Sequence, residues 1–265
     1  MTVRSIFNFR EAGAVVATAF RWIQISTASL RSTMDPKRHS EVVRRRLEKI
    51  FGRPENDLQE DPLSSLVRTI LSQNTTDATS ERAWESLRKR YPTMTELKEA
   101  DPDELAETIR VGGLARLKAE RILNALREIE RLTGKLSLDF LKDMSEEDAD
   151  AWLAQLKGVG PKTRAIVLLF ALRKKAFPVD THILRVTKRL GLIGPHTGRL
   201  EAQRVMAGLA RPQDYFSYHL NLIEHGRRTC SARRPKCGIC VLFDICPWSE
   251  KERYAGSAMT KGKEK

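Results

Sequence analysis

Apolar residues recur with helical spacing along almost the whole chain between its two termini. The clearest stripe follows Asp61 and Pro62, which suit the cap and the first position of a helix. Its members share one helical face: Leu63, Leu66, Val67, Ile70 and Leu71. A second helix start is expected at Asp101 and Pro102. Segments that alternate apolar and polar residues, as half-buried strands do, are missing. The spacing therefore predicts an all-α protein.

The charge of the chain narrows the kinds of partner that it can have. Lys and Arg together number 47 against 34 Asp and Glu, which gives a formal net charge of +13. Such an excess favours a polyanion, most often nucleic acid. A hydrophobic fraction of 41% excludes disorder as the main state, and no apolar run approaches the ~20 residues that a membrane span needs. We therefore expect a globular monomer that contacts no membrane.

The two ends of the chain differ in composition from its centre. Residues 1–34 carry four Arg but a single acid, Glu11, which is a pattern typical of targeting segments. We interpret 1–34 as a disordered or non-native extension that precedes the folded protein, and predict a cytoplasmic protein of the bacterial nucleoid. Organellar targeting by residues 1–33 stays open as an alternative. Residues 251–265 are predicted to form a basic tail.

A glycine-rich turn at residues 156–163 is the most informative segment. Gly158 and Gly160 permit a tight turn, and Pro161 suits the first position of a following helix. The free N–H groups and the dipole at that helix N-terminus attract an anion. The pattern predicts a helix-hairpin-helix in which Gly158, Val159 and Gly160 hold a DNA phosphate without reading a base. The alternative is a simple turn between two packed helices.

A lysine and an aspartate accompany this turn. Lys162 lies in the first helical turn, where the dipole disfavours a further positive charge and so favours the neutral amine of a nucleophile. Asp180 precedes a second helical stripe and is a candidate N-cap, with His182 expected to have a local structural role. Each residue taken alone is explained without catalysis: Lys162 as a phosphate contact and Asp180 as an ordinary helix cap. Together with the hairpin they predict an amine beside a carboxylate.

All four cysteines fall within residues 230–246, in the pattern C-x6-C-x2-C-x5-C. Structural zinc usually needs two closely spaced pairs, and only Cys237 and Cys240 form one. Cys230, Cys237, Cys240 and Cys246 therefore favour a [4Fe-4S] cluster, with zinc and disulfides as weaker alternatives. Arg233, Arg234 and Lys236 between the first two cysteines are candidate DNA contacts, or else a solvated basic loop.

These motifs resemble those of the endonuclease III family of base excision repair enzymes. The resemblance covers about residues 36–248 and rests on Gly158-Val159-Gly160-x-Lys162-Thr163, Val179-Asp180-Thr181-His182 and the four-cysteine loop. It implies two helical domains: a six-helix barrel at 55–174, and a cluster domain at 35–54 and 175–250 that both chain ends build. DNA would lie across the cleft between them.

The resemblance also implies a reaction and a substrate. A damaged pyrimidine in double-stranded DNA would be extruded from the stack. Lys162 would attack C1′ of its sugar and form a Schiff base, and β-elimination would nick the strand at the abasic site. Asp180 would help to deprotonate the lysine and stabilise positive charge on the sugar. The cluster would take no part in base removal.

Two segments depart from the family pattern on the side that senses damage. Asn74 stands where the family has a longer Gln that fills the gap left by the extruded base, and Gln73 is a candidate to compensate for it. Leu114 keeps the place of the residue that wedges into DNA, but Ala115 replaces a Tyr. These changes affect the expected lesion range more than the expected chemistry.

Two other functions remain alternatives at this point. One is a monofunctional mismatch glycosylase, although such relatives lack a lysine at the position of Lys162. The other is a non-catalytic DNA clamp, which would need neither an activated amine nor a carboxylate beside the phosphate.

Overall fold

The computed structural model describes residues 35–56 and 60–256, and the described part is helical without any β-strand. The all-α prediction is confirmed. The predicted extension at 1–34 lies outside the described residues. The helices are α1 (Pro36–Phe51), α2 (Pro62–Leu71), α3 (Asp77–Arg90), α4 (Met94–Lys98), α5 (Pro102–Thr108), α6 (Ala115–Thr133), α7 (Glu146–Leu153), α8 (Pro161–Ile166), α9 (Thr181–Arg189), α10 (Arg199–Leu209), α11 (Tyr215–Arg228) and α12 (Lys251–Gly256). A π-helical turn, Val167–Ala171, continues α8.

Aspartate caps followed by proline set the starts of several helices. The Asp61 carboxylate accepts a hydrogen bond from the Ser64 amide at 2.8 Å, and Pro62 takes the first position of α2. Asp101 in the same way caps α5. Each such cap stabilises its helix by about 1 kcal/mol, because it satisfies an amide that has no partner within the helix. Both predicted starts are confirmed.

Two hydrophobic cores lie side by side. The first contains buried residues from Leu63 to Leu172 and so unites α2 to α8. The second joins α1, through Val43 and Leu47, to the helices after residue 176, and α1 packs against α10 and α11. This core needs both α1 and the helices after residue 176, because those helices cover the apolar face of α1. The division into domains remains a prediction, and Leu169 packs in the second core although it precedes the expected boundary.

Helix α12 occupies the first part of the predicted basic tail. The Tyr254 ring stacks on Trp248 with centroids 5.5 Å apart, and Lys251 Nζ donates to the Phe243 carbonyl at 2.7 Å. Residues 251–256 therefore pack beside the cysteine loop, and 257–265 lie outside the described residues. None of the described helices combines the length and the apolar character that a membrane crossing requires.

Candidate active site and cysteine cavity

The glycine-rich turn joins α7 to α8 as a hairpin. Gly158 has a φ of +85°, which only glycine adopts without strain. Val159 is 4% exposed and packs in the first core, so its side chain anchors the turn and only its backbone can meet a ligand. Gly160 caps α8, and Pro161 follows at the first helical position as expected. The hairpin thus directs the open N-terminus of α8 outwards.

An open cleft of about 1910 Å³ runs between the hairpin and the second core. It is lined by Gly158, Gly160 and Lys162 from the hairpin, by Asp180, and by Gln73 and Asn74 from the loop after α2. The structure therefore brings six of the sequence-derived candidates to one cavity. Lys162 and Asp180 share it, as the sequence interpretation requires.

Lys162 and Asp180 each occupy the N-terminal end of a helix. Lys162 is the second residue of α8 and is half-buried. Asp180 caps α9, where its Oδ1 accepts a hydrogen bond from the Ile183 amide at 2.7 Å. Because positive helix ends meet here, the cleft favours negative groups of a ligand. The carboxylate of Asp180 is stabilised at such a helix end and lines the same cleft as the amine of Lys162.

A buried histidine supports the segment in front of Asp180, and sequence reasoning missed it. His219 on α11 is 3% exposed, and its Nδ1 lies 2.9 Å from the Pro178 carbonyl. Since a carbonyl only accepts, Nδ1 carries the proton. Burial lowers the pKa of His219 to about 4, with the nearby charges of Asp180 and Lys162 acting in opposite directions. The ring is therefore neutral at pH 7. No local motif marks it, because its partner lies 41 residues away.

The loop after α2 presents two amides in different ways. Gln73 is tied into the wall: its Nε2 donates to Thr163 Oγ1 at 3.3 Å, and its Oε1 accepts from Arg121 Nη1 at 2.5 Å. Asn74 is exposed and has a φ of +53°, a conformation that Asn tolerates better than most residues. Gln73 is thus fixed in the wall of the cleft, whereas Asn74 is exposed there.

The expected wedge, Leu114, lies just before α6. It is 53% exposed with a φ of +51°, and Ala115 after it packs against the first core. Leu114 does not line the cleft. The buried ammonium of Lys118 fixes this loop, because it donates to the carbonyl of Gly112 at 2.8 Å and to that of Leu71 at 2.6 Å. Burial lowers the pKa of Lys118.

The four cysteines line a second cavity of about 380 Å³, whose other walls include Leu242 and Trp248. None of these four cysteines forms a disulfide. Among the described residues, no three His, Cys, Asp or Glu side chains converge closely enough for a single metal ion. A cavity ringed by four thiols without such a point fits a multi-atom cluster better than zinc. Burial raises the pKa of Cys240 to about 11, so a bound metal must displace its proton.

Helix α9 connects the cleft to this cavity. Asp180 caps its start, and Arg185 further along donates from Nε to the Cys230 carbonyl at 2.9 Å. At its end Arg189 donates to the Ser231 carbonyl at 2.8 Å and lies 3.3 Å from the Cys230 sulfur. His182 lies 3.2 Å from Arg185 through Nδ1 and so takes part in this connection. The position of the cysteine loop therefore depends on the same helix that presents Asp180.

The basic residues of the cysteine loop lie apart from the cleft. Arg233, Arg234 and Lys236 are exposed and none of them lines it. Lys236 instead borders the cysteine cavity. Contact between these side chains and DNA stays a prediction.

Two family models match the chain. One, described as an HhH-GPD superfamily base excision DNA repair protein, matches residues 67–212. The other, the iron-sulfur binding domain of endonuclease III, matches residues 230–246, which begin and end at the outer cysteines.

Individual relatives agree with these models. A putative DNA glycosylase of Arabidopsis thaliana is 38% identical, over 71% of this chain and 66% of its own length. Endonuclease III of Sulfolobus acidocaldarius is 34% identical, over 70% of this chain and 81% of its own. A solved structure of a trapped endonuclease III–DNA covalent intermediate is 27% identical, with a TM-score of 0.71 over 85% of this chain and 100% of that one. A thermostable thymine-DNA glycosylase, 22% identical with a TM-score of 0.67, shares the fold.

Proposed function

Because the chain belongs to the endonuclease III family of base excision DNA repair enzymes, we propose that Lys162 is its nucleophile and that Asp180 assists it. The protein is a DNA glycosylase and abasic-site lyase that binds DNA and carries a [4Fe-4S] cluster. The observation that carries the residue assignment is the shared cleft, in which an amine and a carboxylate stand at two helix N-termini beside the glycine hairpin.

The proposed reaction needs no group beyond those of the chain and water. The lone pair of Lys162 Nζ attacks C1′ of the sugar, and the C1′–N bond breaks so that the base leaves with its electron pair and takes a proton. Opening of the sugar ring gives an iminium ion between C1′ and Nζ. Loss of a C2′ proton then expels the 3′ phosphate group, and water releases the lysine.

Asp180 has two tasks in this scheme. Its carboxylate takes a proton from Lys162 and faces the positive charge that develops on the sugar. The cap bond from Ile183 fixes the direction of the carboxylate, because it restrains Oδ1 at 2.7 Å. The hairpin backbone holds a phosphate next to the reacting sugar, so that attack occurs from a set distance.

The proposed ligands of the cluster are Cys230, Cys237, Cys240 and Cys246. They line one cavity, and their donor set suits iron and sulfide. When bound, the cluster cross-links the loop at 230–246 and adds folding free energy to it. We further propose oxidised pyrimidines as substrates and the bacterial nucleoid as the place of action.

Single-turnover assays on a labelled duplex with one oxidised pyrimidine test the reaction type. We expect strand nicks without alkali, and nicks after alkali at the same rate or faster. A monofunctional glycosylase would give product only after alkali. A DNA clamp would bind the duplex and give no product in either arm, and both results would refute the proposal.

A further inference from the structure

Three arginines line the cleft, and they differ in how their charge is balanced. Arg227 pairs with Asp77 at 2.6 Å. Arg199 is exposed at the start of α10, where water and salt screen its charge. Arg121 on α6 is half-buried, and no carboxylate in the described part of the chain pairs with it. Its one partner is the neutral carbonyl oxygen of Gln73.

Arg121 is also held in a fixed orientation. Its stem packs on the hairpin: a Cβ placed on Gly158 would lie 3.0 Å from Arg121 Cγ and 3.2 Å from Cδ. Its head is fixed through Nη1 by the 2.5 Å bond to Gln73, which Thr163 holds from the other side. A guanidinium restrained at both ends loses little conformational entropy when it binds a ligand.

A half-buried cation without an anionic partner is costly unless a ligand supplies the anion. The cleft receives a polyanion, and guanidinium groups bind phosphate oxygens with short, charge-assisted hydrogen bonds. We propose that Arg121 binds a DNA phosphate next to the one held by the hairpin, so that the strand is gripped on both sides of Gly158. This rests on the proposed use of the cleft for DNA.

Equilibrium binding to a duplex with a reduced, unreactive abasic site tests this contact. Arg121→Gln should weaken binding about tenfold near 0.1 M salt and lower the slope of log K against log salt by about one. Arg121→Lys should keep most of the slope, because the charge remains, but bind more weakly than wild type. Arg131→Gln is the matched control, since Arg131 lies on the same helix, is exposed and pairs with Glu128. Its slope should equal that of wild type.

A methylphosphonate scan of the same duplex locates the phosphate. Neutralising the contacted phosphate should weaken the wild type and have little further effect on Arg121→Gln. Thermal melting shows whether each variant is folded. If Arg121→Gln does not fold, the weaker binding expected of Arg121→Lys tests the proposal. Unchanged affinity and slope in Arg121→Gln would overturn the proposal. A loss of affinity that occurs only with a duplex carrying a base at the abasic position would also overturn it, because the contact would then be to a base carbonyl. Failure of the wild type to nick DNA would instead refute the proposed function.

Discussion

Replacement of Asp180 by Asn and by Ala separates capping from catalysis. Asn keeps an oxygen that can accept the Ile183 amide hydrogen bond, which is 2.7 Å long in the native protein. Asn and Asp are similar caps, so Asp180→Asn should lose only the charge term at the start of α9, about 0.3–1 kcal/mol. Asp180→Ala removes the cap as well and should cost about 1–2 kcal/mol of unfolding free energy.

The two variants should nevertheless be similarly impaired as enzymes. Loss of one charge that stabilises the transition state typically reduces the rate by about 10²–10³-fold. We therefore expect Asp180→Asn to excise base at least ~100-fold more slowly in single turnover, while it binds DNA and unfolds in urea nearly as wild type does. An Asp180→Asn rate within a few-fold of wild type would show that Asp180 is only a cap. The reasoning would also be refuted if the excision rates of the two variants fell in proportion to their losses of unfolding free energy.

Three further predictions concern the hairpin, the buried histidine and the cluster. Gly158→Ala forces an L-residue to a φ of +85°, and the added methyl group pushes into the Arg121 side chain. This variant should therefore lose about 1–2 kcal/mol more stability than Gly134→Ala, where φ is +68° and nothing lies within 4 Å. Urea unfolding of both variants measures the difference, and equal losses would contradict the prediction. Because burial lowers the pKa of His219 to about 4, the unfolded chain takes up a proton near pH 6.5 that the native chain does not. His219 alone should therefore lower the stability by up to about 3 kcal/mol as the pH drops from 6.5 to 4. This part of the loss should be absent in His219→Asn, and identical pH profiles of the variant and the wild type would exclude this group. The purified protein should be coloured and contain about four iron and four sulfide per chain, and Cys240→Ser should lose them; a colourless protein with one zinc would overturn the cluster.

Local chemistry in the sequence predicted several of the elements that line the cleft. Caps such as Asp61, the Gly158 turn and the helix start at Pro161 each depend on a few neighbouring residues, so their signals lie within one or two turns of chain. The shared cleft followed from the order of these motifs together with the resemblance to a family. The all-α class followed from the spacing of apolar residues.

Contacts between distant segments left no such signal. Arg121 meets Gln73 across 48 positions, and Lys118 meets Leu71 across 47. Neither residue type is unusual on a helix, so the sequence gives no reason to single either out. Helix α12 was missed because its stability comes from Trp248 and the cysteine loop rather than from its own apolar residues.

Borohydride trapping on abasic DNA followed by peptide mapping tests the central assignment most directly. Reduction of the imine should join the protein covalently to the DNA, and mass spectrometry should find the sugar remnant on Lys162. Lys162→Gln should form no adduct while it still binds the duplex. An adduct on another amine, or undiminished trapping by Lys162→Gln, would contradict the account.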